Sequence, residues 1–276
     1  MRLEQISVGN YTYMYHSLKY FLESVKRIGV RTIELWGATP HFHVDDDGLA
    51  GAEALKRTLR EYDLGISCVT PEQVMYPINI GAASREERAR SVAFFRRYVD
   101  VASILECPRM LVTSGRHNID ESAEDCFRYS VDALIDIGHY ARQRGVRIAH
   151  ETLTREGYDL SVRAADIRRT LDAVGNPEWV RGMIDVDESA RFGESPKDFV
   201  EAIGAKNIEH VHFVDGMPGG HLALGDGVLP LGRYIEELDQ AGYTGYISLE
   251  VMNAKYYYDP EPAILQSVEF LRGHAG

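Results

Sequence analysis

The fold is indicated first by one stretch, Ile208-Glu209-His210-Val211-His212-Phe213-Val214-Asp215. Its β-branched and aromatic residues favour a strand, along which successive side chains alternate between two faces. The two histidines therefore project to one side. Spacing alone does not distinguish metal ligands from structural histidines. Three further apolar runs end in a carboxylate, however: Ile148-Ala149-His150-Glu151, Gly182-Met183-Ile184-Asp185 and Ile247-Ser248-Leu249-Glu250. Four strands that end in possible ligands predict a common site.

Outward from these runs, short β-branched segments alternate with amphipathic ones, which is typical of a parallel sheet covered by helices. The predicted strands are 6–8, 32–36, 66–69, 110–113, 146–151, 180–185, 208–214 and 246–250. The predicted helices are 16–28, 51–62, 85–105, 122–144, 164–174, 196–203, 231–241 and 260–271, with 39–47 as a loop. Eight strand–helix units and no linker predict an α/β fold, a (β/α)₈ TIM barrel with residues 1–276 as one domain. A doubly wound open sheet is the structural alternative.

Composition limits the possible partners. The chain has 276 residues and a net charge of −12, and no lysine or arginine cluster long enough to bind a polyanion, so nucleic acid is disfavoured. No apolar run approaches a membrane span, and the N-terminus lacks a signal peptide's apolar core. We therefore expect a cytoplasmic protein that binds no membrane. The three cysteines are expected to be reduced and buried.

In a (β/α)₈ barrel the active site lies at the carboxyl ends of the strands. The candidates there are Glu34, Glu72, Glu151, Asp185, His212 and Glu250. Several acids in a partly desolvated mouth repel one another unless a cation compensates, which predicts one divalent metal ion. A ligand set of oxygen atoms and one imidazole suits Mn²⁺ or Mg²⁺, with Co²⁺, Fe²⁺ or Zn²⁺ as further possibilities.

The sequence resembles the xylose-isomerase-like barrels that include the ketose 3-epimerases, and most closely the fructoselysine 3-epimerases. The resemblance covers nearly the whole chain. It is carried by Ile33-Glu34-Leu35-Trp36-Gly37 with Pro40-His41, Thr70-Pro71-Glu72 with Tyr76-Pro77, Glu151-x-Leu153-Thr154, Met183-Ile184-Asp185, His210-Val211-His212-Phe213-Val214-Asp215, Gly225-Asp226-Gly227 with Pro230-Leu231, and Gly242-Tyr243-x-Gly245-Tyr246 running into Leu249-Glu250. Each motif is weak alone, but together and in order they are specific for the superfamily.

The resemblance implies a metal centre made by Glu151, Asp185, His212 and Glu250, with Mn²⁺ as the favoured ion. The two glutamates would also be the catalytic acid and base. The implied reaction is inversion of C3 of a free, non-phosphorylated ketose or a fructosamine-type sugar. One carboxylate removes the C3 proton, the metal stabilises the resulting cis-enediolate, and the other carboxylate returns a proton on the opposite face.

Six residues are candidates for sugar contact. The motifs suggest Trp36, His41, Glu72 and Tyr76, and position in a glycine-rich loop suggests His221. Glu188 stands where ketose 3-epimerases commonly have a substrate-binding histidine, and Pro218 stands where they have an arginine. The aromatic candidates are as well explained by packing at the rim, and Glu72 by capping of a backbone N–H.

Other functions remain open at this point. An aldose–ketose isomerase, or a lyase or dehydratase that includes the C-glycoside-cleaving type, would use the same proton abstraction. An apurinic-endonuclease-like phosphodiesterase is disfavoured because it needs additional metal ligands and a basic DNA-binding face. The run Tyr256-Tyr257-Tyr258 suits either the mouth or a subunit interface, and we expect a homo-oligomer, a dimer or tetramer.

Overall fold

Eight parallel strands form a closed barrel in the computed structural model, which describes residues 1–74, 77–154, 158–175 and 178–275. Each strand pairs with the next along the chain, and the first pairs with the eighth. The predicted (β/α)₈ barrel is confirmed and the open sheet was wrong. The strands are β1 Ile6–Gly9, β2 Thr32–Gly37, β3 Gly65–Pro71, β4 Arg109–Thr113, β5 Arg147–Glu151, β6 Val180–Asp185, β7 Ile208–His212 and β8 Ile247–Leu249.

Helices cover the outside of the barrel. Within the described ranges they are α1 Leu18–Ile28, α2 Val44–Tyr62, α3 Arg85–Ile104, α4 Ala123–Arg142, α5 Ala164–Ala173, α6 Val186–Ala190, α7 Pro196–Ile203, α8 Leu231–Gln240 and α9 Pro260–Gly273. Ser122 caps the start of α4, where the backbone N–H of Asp125 donates to Ser122 Oγ at 3.2 Å. The short α6 was not predicted, because five residues are too few for an amphipathic pattern. No helix in the described ranges is both long and apolar enough to cross a membrane.

The start of α2 corrects the prediction of a loop over 39–47. Asp45, Asp46 and Asp47 form the first turn of the helix, where carboxylates interact favourably with the free N–H groups and the helix dipole. Gly48, at φ +62°, interrupts the helix and masks its periodicity. His43, the residue before this helix, is buried beside Phe94.

Alternation along the strands separates two layers of packing. Residues that face outward pack under the helices in the main core. A separate cluster of inward-facing side chains lies inside the barrel and consists of Cys68, Leu111, Ala149 and Met183. Two residues further along β5 and β6 come Glu151 and Asp185. The apolar layer is thus the floor on which the carboxyl-end site rests.

Candidate metal centre

The four residues predicted to bind a metal converge at the carboxyl end of the barrel. Glu151, Asp185 and His212 are the last residues of β5, β6 and β7, and Glu250 follows β8 directly. The register pairs Asp185 with His212 on neighbouring strands. One ligand atom from each of the four residues lies within 4.8 Å of every other.

His212 Nδ1 is the point around which the carboxylates gather. It lies 2.7 Å from Glu250 Oε2, 3.0 Å from Glu151 Oε1 and 3.8 Å from Asp185 Oδ2. The imidazole is fully buried, yet this nitrogen has no partner in hydrogen-bonding geometry. A buried ring nitrogen without such a partner, surrounded by carboxylate oxygens, is the arrangement expected of a metal ligand.

The opposite nitrogen fixes the orientation of the ring. His212 Nε2 lies 2.8 Å from Glu34 Oε1, and His210 Nε2 lies 2.8 Å from Glu34 Oε2. Glu34 is fully buried and also accepts hydrogen bonds from Tyr11 Oη and Thr70 Oγ1. With its Nε2–H donating to Glu34, neutral His212 presents a lone pair at Nδ1, as in the carboxylate–histidine–metal arrangement. His210 supports Glu34, the structural role that the sequence left open for it.

The protonation of these groups reflects an excess of carboxylate. Burial raises the pKa of Glu151 to about 8, and the charges of Glu250 and Asp185 act in the same direction. Burial opposes a charge on Glu250 as well, but His212 and His221 outweigh it and lower its pKa to about 2. Burial lowers the pKa of His212, whereas Glu250 and Glu34 together raise it well above the usual value. A divalent ion would take the place of the proton at Nδ1.

The charges around the site agree with this assignment. In the described part of the chain, no lysine or arginine lies within ion-pair distance of Glu151, Asp185 or Glu250, whose charged partners are the histidines His212 and His221. Three carboxylates and one imidazole, without a thiolate, suit Mn²⁺, Mg²⁺, Co²⁺, Fe²⁺ or Zn²⁺. The residues present therefore fit a single divalent metal ion.

His221 reaches the same centre from the loop between β7 and α8. Its Nε2 lies 3.1 Å from Asp185 Oδ2 and 3.4 Å from Glu250 Oε2. The sequence suggested this residue for sugar contact because of its loop, and the structure places it against two of the four candidate ligands. His221 therefore lies at the candidate metal centre itself.

The other sugar-contact candidates fall in different surroundings. Trp36 is half-buried, stacks on Tyr11 at 5.4 Å between ring centroids, and donates from Nε1 to Glu72 Oε2 at 2.7 Å. His41 is buried, and its ring nitrogens lie 2.7 Å from Asn10 Nδ2 and 2.9 Å from the His16 carbonyl oxygen. These contacts leave neither nitrogen of His41 for a sugar hydroxyl. Tyr76 lies outside the described residues.

Glu188 differs from these candidates because part of its side chain is unsatisfied. It is 5% exposed, and its Oε2 has no hydrogen-bond partner. Its Oε1 lies 3.5 Å from Arg191 Nε. Burial, with the nearby charge of Asp185, raises the pKa of Glu188 to about 7.

Two buried carboxylates, those of Glu34 and Asp187, shape the site through contacts that were not predicted. Glu34 was among the predicted strand-end acids, but no local pattern indicated that both histidines of β7 would contact it. Asp187 went unnoticed, although an acid two residues after a strand-end ligand was the available signal. Each carboxylate contacts a histidine from a distant segment of the chain. Such contacts can be identified only once the fold brings the segments together.

The fold and site together define a (β/α)₈ barrel protein with a candidate metal centre at the carboxyl ends of its strands. The chain belongs to the xylose isomerase-like TIM barrel family, whose model matches residues 22–274. The resemblance seen in the motifs is thus confirmed.

Individual relatives agree with this assignment. The chain is similar to fructoselysine 3-epimerase of Shigella flexneri, with 23% identity over 257 residues that cover 92% of each chain. Among solved structures, L-ribulose 3-epimerase is similar at TM-score 0.81 and 17% identity, over 99% of this chain and 94% of that one. The IOLI protein, solved with a zinc atom, is similar at TM-score 0.81 and 16% identity, over 98% of both chains. At such identities the two structures share the fold.

Proposed function

We propose that this protein is a metal-dependent epimerase that inverts C3 of a free ketose or a fructosamine-type sugar. The observation that carries the proposal is the pair of Glu151 and Glu250, whose oxygens lie 3.0 Å and 2.7 Å from the same nitrogen, His212 Nδ1. The similarity to fructoselysine 3-epimerase along 92% of the chain supports the same reaction class. Glu151, Asp185, His212 and Glu250 would hold the ion.

Epimerisation at a carbon next to a carbonyl needs two proton-transfer groups on different sides of the substrate. Glu151 and Glu250 come from β5 and β8, which are separated in the barrel by β6 and β7. Their carboxylates therefore approach the centre from different directions. One carboxylate takes the C3 proton, the other returns a proton to the opposite face, and the roles exchange with the direction of the reaction. The ion, when bound, supplies a Lewis acid for the negative charge that develops on the sugar oxygens.

The surroundings of the pair suit a polar, non-phosphorylated substrate. Glu188 Oε2, which has no hydrogen-bond partner, offers an acceptor to a sugar hydroxyl. The carboxylates around the pair would also tolerate the ammonium group of a fructosamine. Phosphate usually recruits arginine, lysine or free helix N–H groups. In the described part of the chain no lysine or arginine is paired with the ligand carboxylates.

The test is hydrogen exchange at C3. Free ketoses and fructosamine-type sugars are incubated in deuterated water with metal-loaded protein, and label at C3 together with the C3 epimer is the expected result. Glu250→Gln and Glu151→Gln should each lower the rate by about 10²–10⁴-fold. Glu72→Gln is the matched control, which changes a mouth carboxylate outside the ligand set and should affect KM more than the exchange step.

Other outcomes separate the alternatives. Label at C2 of an aldose product, or at C1 of the recovered ketose, would indicate an aldose–ketose isomerase, and loss of a substituent would indicate a lyase or dehydratase. Undiminished C3 exchange by Glu250→Gln would contradict the proposal. The net charge of −12 disfavours a DNA phosphodiesterase, which depends on contacts with phosphates.

The cytoplasmic location and the homo-oligomer stay predictions. In the aromatic run that suggested an interface, Tyr256 is buried and donates to Asp226 Oδ2 at 2.6 Å. Tyr258 is 85% exposed and its ring contacts that of Tyr15, itself 62% exposed. Tyr258 is thus the exposed ring of the run, and together with Tyr15 it remains available to a second subunit.

A further inference from the structure

Asp187 organises the loop between β7 and α8, and in particular residues 216–222, which we call the mouth loop. Asp187 is fully buried. Its Oδ1 accepts from the Gly219 N–H at 2.6 Å, and its Oδ2 accepts from the His221 N–H at 3.1 Å. A Cβ on Gly216 would lie 1.6 Å from Asp187 Oδ1, so any larger residue at that position would collide with the carboxylate. The mouth loop is thus wrapped closely around one side chain.

His221 is held in an unusual conformation by this arrangement. Its φ is +44°, in the left-handed region that a non-glycine residue rarely adopts. Its carbonyl oxygen accepts from the Met252 N–H at 3.0 Å, and the neighbouring Gly220 carbonyl accepts from Asn253 Nδ2 at 3.0 Å. Backbone in such a region persists where surrounding contacts determine it, and often at functional sites. These contacts fix where the imidazole points.

The imidazole connects Asp187 to the metal centre. His221 Nδ1 lies 3.2 Å from Asp187 Oδ2, while Nε2 lies 3.1 Å from Asp185 Oδ2. His212 has the corresponding arrangement, with one nitrogen on buried Glu34 and the other among the carboxylates. Each histidine therefore has a buried carboxylate behind it and faces the same acids. A carboxylate behind a histidine orients the ring and raises its basicity as a ligand.

We propose that His221 is a fifth protein ligand of the metal centre, oriented by Asp187, and that it ties the mouth loop to the bound ion. The inference rests on the proposed metal centre and not on the identity of the sugar. Asp185 Oδ2 and Glu250 Oε2 both lie within 3.4 Å of His221 Nε2. The same two oxygens lie 3.8 Å and 2.7 Å from His212 Nδ1, the buried nitrogen that has no hydrogen-bond partner.

The consequence is that metal binding and closure of the mouth loop are coupled. Residues 216–222 belong to a connection that would otherwise depend on Asp187 and on a few backbone contacts. When His221 binds the ion, opening the loop costs a metal–nitrogen bond. Any substrate that enters over this loop then meets a mouth whose shape depends on the metal.

The experiment measures metal affinity in full-length protein stripped with a chelator and titrated with Mn²⁺ or Co²⁺. His221→Asn is the main variant, because asparagine tolerates the left-handed backbone but is too short to replace the imidazole. We expect at least a tenfold loss of affinity and a changed visible spectrum of the Co²⁺ protein. Asp187→Asn, which removes the carboxylate behind the ring, should weaken binding by about 10–100-fold.

The matched control is His117→Asn. His117 Nδ1 lies 2.7 Å from Asp159 Oδ2, so the chain contains a second Asp–His pair that has no contact with the metal ligands. Metal affinity should stay within about twofold of the unsubstituted protein. Hydrogen exchange of residues 216–222 should slow on metal addition in the unsubstituted protein and the control, but not in His221→Asn.

The outcomes separate the two proposals. If the unsubstituted protein binds no divalent ion, the metal centre itself fails. If it binds the ion but His221→Asn and His221→Ala bind equally tightly with an unchanged Co²⁺ spectrum, the fifth ligand alone is refuted. Circular dichroism and thermal unfolding of the metal-free variants identify any that fail to fold. If the His221 variants do not fold, the Co²⁺ spectrum of Asp187→Asn provides the test.

Discussion

The two ends of the barrel differ in how their buried carboxylates are balanced by positive charge. At the amino ends of the strands, three arginines surround one buried carboxylate, that of Glu209. Nitrogens of Arg109, Arg147 and Arg181 lie 3.2, 2.9 and 3.3 Å from its oxygens. At the carboxyl ends of the strands, three carboxylates gather around Nδ1 of His212. The same strands carry both arrangements, since Glu209 is the second residue of β7 and His212 is its last.

The difference indicates which end performs chemistry. At the amino ends of the strands, the carboxylate of Glu209 is paired with arginines of the same chain, so this network contributes to the stability of the fold. Carboxylate at the carboxyl end is in excess, and the groups that would balance it are not arginine or lysine. Burying like charges together costs free energy that packing does not require. Such an arrangement is typical of a site that receives a cation.

The largest expected effect is at the amino end. Glu209→Ala leaves three guanidinium groups without their common partner, and we expect the free energy of unfolding to fall by about 3–5 kcal/mol. Urea denaturation measures this. Glu269→Ala, which breaks an exposed pair with Arg272, is the control and should change stability by less than about 0.5 kcal/mol. A loss below about 1 kcal/mol for Glu209→Ala would show that the arginine cluster stabilises little.

The second effect is on the affinity for a divalent ion at the carboxyl ends of the strands. Glu34→Gln weakens the hydrogen bond that orients His212, and the affinity for a divalent ion should fall by about 10–100-fold. Isothermal titration calorimetry measures the change. Glu209→Gln is the same substitution at the other end of the barrel and should leave the affinity within about twofold. Equal losses in the two variants would mean that the effect is one of general stability.

The smallest effect is that of Glu151→Gln on stability, and it should have the opposite sign to the effect of Glu209→Ala. The pKa of Glu151 is raised to about 8, so the folded metal-free protein retains a proton that the unfolded chain releases near pH 4.3. This contribution to stability is complete below that pH and is lost as the pH rises towards 8. Glu151→Gln cannot ionise. We expect it to match the metal-free parent in stability near pH 4.5 and to be the more stable of the two at pH 8.5.

Thermal unfolding at several pH values in the presence of chelator tests this expectation. Glu151→Gln, which impairs the metal centre, would then stabilise the metal-free protein, whereas Glu209→Ala would destabilise it. If Glu151→Gln is less stable than the parent at every pH, the carboxylates at the mouth are not in mutual conflict. The contrast between the two ends would then be lost.

The sequence predicted what depends on local pattern. Alternation of strands and helices led to the barrel, and the last residue of each strand led to Glu151, Asp185, His212 and Glu250. This works because the carboxyl ends of parallel strands in a closed barrel meet at one mouth. A residue at a strand end therefore has a spatial position that can be inferred before any contact is known.

The contacts that hold those residues could not be inferred in this way. Glu34 and His212 lie 178 positions apart, and nothing in either segment specifies their hydrogen bond. His41 was placed near the sugar by its motif, but its two ring nitrogens are used by Asn10 and the His16 carbonyl. Asp187 and His221 form a pair through loop conformation, including a positive φ that no local pattern announces.

The proposed chemistry requires that Glu151, Asp185, His212 and Glu250 together hold one divalent ion. Metal analysis after dialysis against Mn²⁺, with calorimetric titration of the chelator-treated protein, tests it most directly. We expect one ion per chain and an Asp185→Asn variant that retains none after the same dialysis. A parent protein without metal, or an Asp185→Asn variant that binds one ion as tightly as the parent, would contradict the claim.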